Sequence, residues 1–222
     1  MIHVLCNRPS TGAVVLVGAL RAAGQEARRA RARLPVREGD KVVCWGQSLA
    51  RFDPVDGVTY LNSIPLRNKL QELVTLRDAG IAVPQFSATP PTPEGWIPRR
   101  LHHQDSEDFI NPPAEPGFWT RRLAIEEEWR FHIFKGRSLR AARKIPEPVM
   151  GPGFVFHYSY RMGPLSHRRL SIRAVRALGL DFGAVDVVTV GGEPVILEVN
   201  RRPGLDPNGH TAERYAQAIL EA

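Results

Sequence analysis

The sequence predicts a mixed fold in which a small α/β lobe precedes a region built on antiparallel β-hairpins. Three observations carry this. Strand-like, helix-like and strand-like segments follow one another between Ile2 and Leu61, the order of a parallel sheet with a covering helix. Around Trp129, Phe131 and Ile133, apolar residues alternate with Glu128, Arg130 and His132, and Lys135-Gly136 supplies a turn before Leu139 to Arg143 returns as a strand. Nearer the carboxy terminus, two β-branched runs flank Gly191-Gly192, a strong hairpin signal.

The bulk properties bound the answer. A chain of 222 residues can bury a real core as one compact unit or two small lobes. Its 43% hydrophobic and 24% charged residues are ordinary for a soluble globular protein, which argues against a disordered or fibrous class. The longest apolar run, Ala13 to Leu20, falls far short of the ~20 residues that span a bilayer, and no basic segment precedes it. Neither a signal peptide nor a membrane partner is expected. Cys6 and Cys44 sit in apolar strand-like stretches and read as buried thiols in a reducing cytosol, which gives a cytoplasmic location. The net charge of +7 favours an anionic partner, whether nucleotide, nucleic acid or acidic peptide.

In chain order, Ile2 to Cys6 reads as a strand, Gly12 to Ala23 as a short apolar helix, Gln25 to Arg33 as an arginine-rich segment, and Lys41 to Trp45 as a strand ended by Gly46. Val58 to Leu61 is a third strand. No G-x-G-x-x-G motif supports a dinucleotide site. Pro65 opens a new unit. Asn68 to Ala79 is helical, with Leu70, Leu73, Val74 and Arg77 on one face and Gly80 as its stop. Ile81 to Phe86 reads as a short strand and Thr89 to Glu94 as a proline-rich connector. The adjacent His102 and His103 lack H-E-x-x-H spacing, so zinc is not expected. Asn111 to Gly117 is a second loop, and Gly151 to Gly163 an aromatic, flexible one. Leu170, Ala174, Ala177 and Leu178 recur at helical spacing before Gly179. From Thr211 an apolar stripe of Ala212, Tyr215, Ala216, Ile219 and Leu220 reads as a closing helix packed on the core.

The hairpin carries chemistry. With a three-residue loop, Gly191 to Glu193, Val190 pairs with Pro194 and Asp186 lies opposite Glu198. Val185, Val187, Leu197 and Val199 then share one face, and Asp186, Glu198 and Asn200 the other. A two- or four-residue loop would put Asp186 on the apolar face. Two carboxylates and an amide oxygen on one face suit Mg²⁺, a hard cation that keeps waters and bridges to phosphates. The plainer alternative is a row of solvent-facing polar residues on a half-exposed sheet.

"LGLDFGAVDVV" followed by "VILEVNRRPG" resembles the carboxy-terminal metal motif of the ATP-grasp ligases, in the branch of the ribosomal-protein glutamate ligases and the related phage carboxylate–amine ligases. "NKLQELVTLRDAGIAVPQ" is similar to that family's opening signature, and "EEEWRFHIFKGRSLRAARK" to its active-site hairpin. The resemblance implies an α+β, ATP-grasp fold: two antiparallel-sheet lobes clasping ATP behind a small α/β lobe. It divides the chain into 1–64 as the amino-terminal lobe, 65–120 as the central nucleotide-binding lid lobe and 121–222 as the carboxy-terminal lobe with the metal hairpin. By position, Asp186, Glu198 and Asn200 would bind two Mg²⁺ ions, Lys69 would touch the ATP phosphates, and Arg130 and Lys144, with Arg143 beside the latter, would hold the γ-phosphate or an acylphosphate. Glu128 matches the acidic residue of the same hairpin. Where the family carries a lid lysine this chain has Arg100, and the following loop has no glycine, leaving His102, His103 and Gln104 as substitute donors. Tyr160 and Arg161, and Arg201 beside the metal face, are candidates for gripping a substrate carboxylate.

The implied activity is ATP-dependent ligation. A carboxylate substrate and an amine acceptor, either a small molecule or a peptide or protein terminus, are joined through an acylphosphate. Two other readings stay open. One is a catalytically degenerate ATP-grasp scaffold, favoured by the glycine-free lid. The other is a basic nucleic-acid-binding protein using Arg28, Arg29, Arg31 and Arg33 with Arg168 and Arg169, although no nucleic-acid motif accompanies them.

Overall fold

The computed structural model describes residues 1–6, 10–31, 35–46, 54–92, 94–102, 108, 111–147, 155–205 and 210–222. Arg33, His103 and Gln104, and the start of the 151–163 segment, lie outside them.

The first sheet is wholly parallel. Its strands are β1 (Ile2–Leu5), β2 (Ala27–Ala30), β3 (Lys41–Cys44) and β4 (Thr59–Leu61), in the order β2-β1-β3-β4. Helix α1 (Thr11–Ala22) starts at Ser10, whose side chain caps the Ala13 N–H at 3.3 Å. The arginine-rich segment, to which the sequence pattern gave no secondary structure, is the edge strand β2; its arginines lie between alanines, and Ala27 supplies the buried contact. The closing helix, α4 (His210–Leu220), lies beside α1 rather than apart from it, and the two bury Leu16, Leu20, Tyr215 and Ile219 in one core against β1 and β3. Lys41 Nζ closes the carboxy-terminal end of α4 by donating to the carbonyls of Ile219 and Leu220, at 2.9 and 3.0 Å.

The largest sheet is antiparallel throughout: β8 (Glu127–Phe134), β9 (Arg137–Glu147), β10 (Val155–Tyr160), β11 (Phe182–Val190) and β12 (Glu193–Asn200), ordered β10-β9-β8-β11-β12. The expected aromatic loop is therefore partly an edge strand, because Tyr158 and Tyr160 pair against Lys144 and Ala142. One face, carrying Phe131, Ile133, Val185, Val187, Ile196 and Val199, is buried under helix α3 (Leu165–Ala177). Helix α2 (Lys69–Asp78) joins the same core through Leu76. Its buried residues are Glu72, Leu73 and Leu76, so the buried face is turned away from the predicted Leu70 and Val74.

A third, thin sheet consists of β5 (Phe86–Ser87), β6 (Trp96–Arg99) and β7 (Phe118–Arg121) in the order β5-β7-β6. The strand expected from Ile81 to Phe86 contributes only its last residue. Ile81 is instead spent on the core beneath α3. The amino-terminal sheet is pinned to the large one by Asn62, whose side chain donates to the Phe182 carbonyl at 2.9 Å and accepts from the Asp181 N–H at 2.8 Å.

The metal-type hairpin has the expected facing pair but not the expected turn. Gly191 and Gly192, with φ of 58° and 80°, form a two-residue turn of the kind that hairpins favour, and Val190 pairs with Glu193. A bulge at Leu197 then absorbs one residue, so Asp186 still faces Glu198 while Val187 faces Ile196. The buried residues of β12 are accordingly Ile196 and Val199, three apart, and Leu197 leaves the apolar face to which it was assigned.

Candidate active site

The polar face of the large sheet carries a continuous cross-strand row. Glu198 faces Asp186, Asp186 faces Arg130, Arg130 faces Ala142, and Ala142 faces Tyr160. The neighbouring row sets Glu128 opposite Lys144 and Lys144 opposite Tyr158. Residues directly opposite share a face, so alternation along five strands builds the site from one side of one sheet.

The charges interlock. Arg130 forks onto Asp186, Nε to Oδ1 and Nη2 to Oδ2 both at 2.7 Å, and its Nη1 donates to the Tyr158 hydroxyl at 3.1 Å. Lys144 Nζ pairs with Glu128 and lies 3.5 Å from Asp186 Oδ2. Lys69, the first residue of α2, reaches Glu72 Oε2 and Glu198 Oε2, each at 3.4 Å. Asn68 and Gln71 fix that helix start through a reciprocal capping box, and the Lys69 N–H donates to the Leu101 carbonyl at 3.0 Å. Asn200 Nδ2 donates to Glu198 Oε1 at 2.7 Å.

The titration of these groups follows from burial against pairing. Burial by itself would lower the pKa values of Lys69, Arg130 and Lys144, but the facing carboxylates outweigh it and raise all three, so each stays a cation. Burial raises Glu72 and Glu128, and their lysine partners offset part of the rise.

The structure brings Asp186, Glu198, Asn200, Lys69, Arg130 and Lys144 together. The remaining candidates sit differently. Arg100 Nη1 pairs with buried Asp108 at 2.8 Å and its Nη2 donates to the Asn111 carbonyl at 3.0 Å, while its neighbour Arg99 also pairs with Asp108, at 3.1 Å, and lies within the field of Glu198. Tyr160 stacks on Arg140, 3.4 Å from guanidinium carbon to ring centre, and exposed Arg161 donates to Ser159 Oγ at 3.3 Å. Arg201 is engaged with the backbone: its Nη1 donates to the Pro65 carbonyl and its Nη2 to that of Ile64, both at 2.8 Å. Sequence reasoning missed Glu72, Arg99 and Tyr158. Glu72 was legible as the i+3 partner of Lys69, whereas Arg99 and Tyr158 depend on strand register.

Asp186, Glu198 and Asn200 offer hard oxygen donors on adjacent strands, a set that fits Mg²⁺ completed by water and phosphate oxygens. Among the described residues no group of three His, Cys, Asp or Glu side chains gathers as a metal site.

Comparison with known proteins identifies the fold. No family model matches the chain. It superposes on the ATP-grasp ligase PsnB complexed with a minimal precursor, with a TM-score of 0.71 at 15% identity, covering 99% of this chain and 98% of that one. It also superposes on an ATP-grasp RimK domain protein from Sphaerobacter thermophilus (TM-score 0.62, 16% identity, 99% of each chain) and on the D-alanine–D-alanine ligase of Bacillus anthracis (0.66, 14%, 99% and 96%). The chain thus has the ATP-grasp fold. In sequence it is similar to a probable alpha-L-glutamate ligase of Shewanella sp. (strain MR-4), 29% identical over 102 residues, or 46% of this chain and 28% of the relative. A probable alpha-L-glutamate ligase of Parasynechococcus marenigrum is 34% identical over 85 residues, 38% of this chain and 14% of that protein. The chain spans less than a third of the length of either relative. Among the described residues, no helix is long and apolar enough to cross a membrane.

Proposed function

We propose that the chain is an ATP-dependent carboxylate–amine ligase that forms an amide or peptide bond through an acylphosphate. One observation carries the reading. Asp186 and Glu198, suited to a metal, are each already matched by a cation, Arg130 or Lys69, suited to a phosphate. A metal–nucleotide complex would satisfy both sets at once.

In this reading Asp186, Glu198 and Asn200 hold Mg²⁺, and Lys69, Lys144 and the Arg99–Arg100 pair neutralise phosphate oxygens. Bound there, Mg²⁺ would supply positive charge to offset that of the phosphates. A carboxylate oxygen of the acid attacks the γ-phosphorus and ADP leaves. The amine then attacks the acyl carbon, and the C–O bond to phosphate breaks to give amide, phosphate and a proton. Arg130, held by Asp186 and Tyr158, would stabilise the oxygens on which charge gathers. The reaction needs positioning and charge neutralisation from the protein, with no side-chain nucleophile. The relatives' names point to an amino acid such as glutamate as one substrate, and the precursor bound by PsnB to a peptide as the other. A reducing cytoplasm fits the free, buried Cys6 and Cys44.

The test is thermal unfolding with and without Mg·ATP, on wild type and on Glu198→Ala. A ligand at 100 times its Kd stabilises by ~2.7 kcal/mol, a shift of a few degrees at this size. A Mg²⁺-dependent shift lost in Glu198→Ala, with ADP released when acids and amines are supplied, is the expected result. A folded wild type that shows no shift refutes the reading.

A further inference from the structure

Glu72 places a carboxylate on a helix face that otherwise serves the core. Its companions on the buried side of α2 are Leu73 and Leu76. A carboxylate here adds nothing to apolar packing and costs free energy unless a cation offsets it. Burial raises its pKa, and Lys69 is the first of the cations that act against the rise, with Arg201 behind it. Glu72 Oε2 has no hydrogen-bond partner among the described residues. Lys69 Nζ stands 3.4 Å from it, beyond the roughly 2.7–2.9 Å of a charge-assisted hydrogen bond, so the two form an ion pair.

Lys69 is held from its backbone outward. It is the first residue of α2, behind the Asn68–Gln71 capping box, and its N–H donates to the Leu101 carbonyl at 3.0 Å. A cation at this end of a helix opposes the macrodipole, and Glu72, the acidic residue of the first turn, offsets it. The side chain is shared between two carboxylates, Glu72 and Glu198, with 3.4 Å to an oxygen of each. The two anions are not equivalent. Glu198 lies opposite Asp186 on the polar face of the hairpin, partly exposed, among the candidate metal ligands. Glu72 is on a different element and is the more deeply buried of the two. A metal that draws on Glu198 therefore leaves the Glu72 contact in place.

We infer that Glu72 is a positioning residue, which holds the Lys69 ammonium beside the hairpin so that Lys69 meets phosphate oxygens instead of closing onto Glu198. The inference rests on the ligase reading and adds to it a residue that acts through Lys69 rather than on the reacting atoms. With the charge of Glu72 removed, Lys69 is drawn to Glu198, and a metal competes with the full strength of that pair. Mg·ATP then binds more weakly. A simple field effect has the opposite sign, because removing an anion beside Lys69 would strengthen its attraction for a polyanionic nucleotide.

The experiment is calorimetric titration of the full chain with Mg·ATP, on wild type, Glu72→Gln, Lys69→Met and the double variant. Glu72→Gln should raise the Kd by about tenfold, and in the Lys69→Met background the same change should alter it by less than about twofold, since the residue through which it acts is gone. Glu72→Asp, which keeps the charge and withdraws it by one carbon, is run through the same cycle as a second variant and should also lose its effect when Lys69 is absent. Binding by Glu72→Gln that equals or exceeds wild type overturns the positioning role. So does a loss of equal size with and without Lys69, which is the mark of a purely structural residue. Wild type that binds no Mg·ATP refutes the ligase reading and the inference together, whereas wild-type binding with no dependence on Glu72 refutes the inference alone.

Discussion

The five-stranded and three-stranded sheets both supply cations to the candidate site, but they are held in different ways. The large sheet rests on a shared apolar core with α3 and α2, in which Phe131, Ile133, Val185 and Val187 are fully buried. The small sheet buries only Phe118 and Thr120 of its own residues and is tied at its edge by Asp108, which pairs with Arg99 and Arg100. Packing of the first kind fixes side chains in one place, as metal ligands require. Ion pairing of the second kind leaves a thin layer whose position can change at modest cost.

The largest expected effect tests that contrast directly. Phe131→Ala should lower stability by about 3–5 kcal/mol in urea denaturation, while Ile97→Ala, half-buried on β6, should cost only about 1 kcal/mol. Equal losses at the two positions would show that the small sheet has a core of its own. Next in size, Asp108→Asn leaves two guanidinium groups without their buried anion and should cost about 1–3 kcal/mol. Hydrogen exchange should then speed up in β6 and β7 but not in β11 and β12; faster exchange in the hairpin would mean that the two sheets unfold as one unit.

The smallest effect concerns His167, buried on α3 with Nε2 2.8 Å from Thr189 Oγ1. Burial lowers its pKa, and nearby Glu127 offsets part of this. The unfolded chain therefore takes up the proton first as pH falls. The stability this provides is present above the ordinary histidine pKa and is lost on going down through the lowered folded value. His167→Gln should narrow the difference between urea midpoints measured at about pH 7.5 and about pH 5.5. An unchanged difference would assign the acid sensitivity of this sheet to other groups.

Much of the site is legible in the residues alone. Alternation at Asp186, Glu198 and Arg130 names a polar face, and the apolar residues between them say which face is buried. The route to that face is not legible. A three-residue loop is the expectation, whereas the molecule uses a two-residue turn and a bulge at Leu197, and both arrive at Asp186 opposite Glu198. Bulges leave no clear mark in a single sequence, because they answer to packing on the far side of the strand. The same limit hides β2, whose paired arginines look like a solvated patch until a neighbouring strand is there to pair with.

By itself, then, the sequence determined the periodicities, the helices opening near Gly12 and Asn68, the hairpin at Gly191-Gly192, and a set of acids and bases with the right chemistry for Mg·ATP. These depend on residues near one another in the chain, where local geometry governs. The tertiary structure alone decided which arginine does what. Arg130 meets Asp186 across 56 residues, Arg201 is spent on backbone carbonyls across 136 and 137, and Arg100 is held by Asp108. A guanidinium group makes whichever contact the packed backbone places within reach, and that reach is set by strand order and register, which no local pattern encodes.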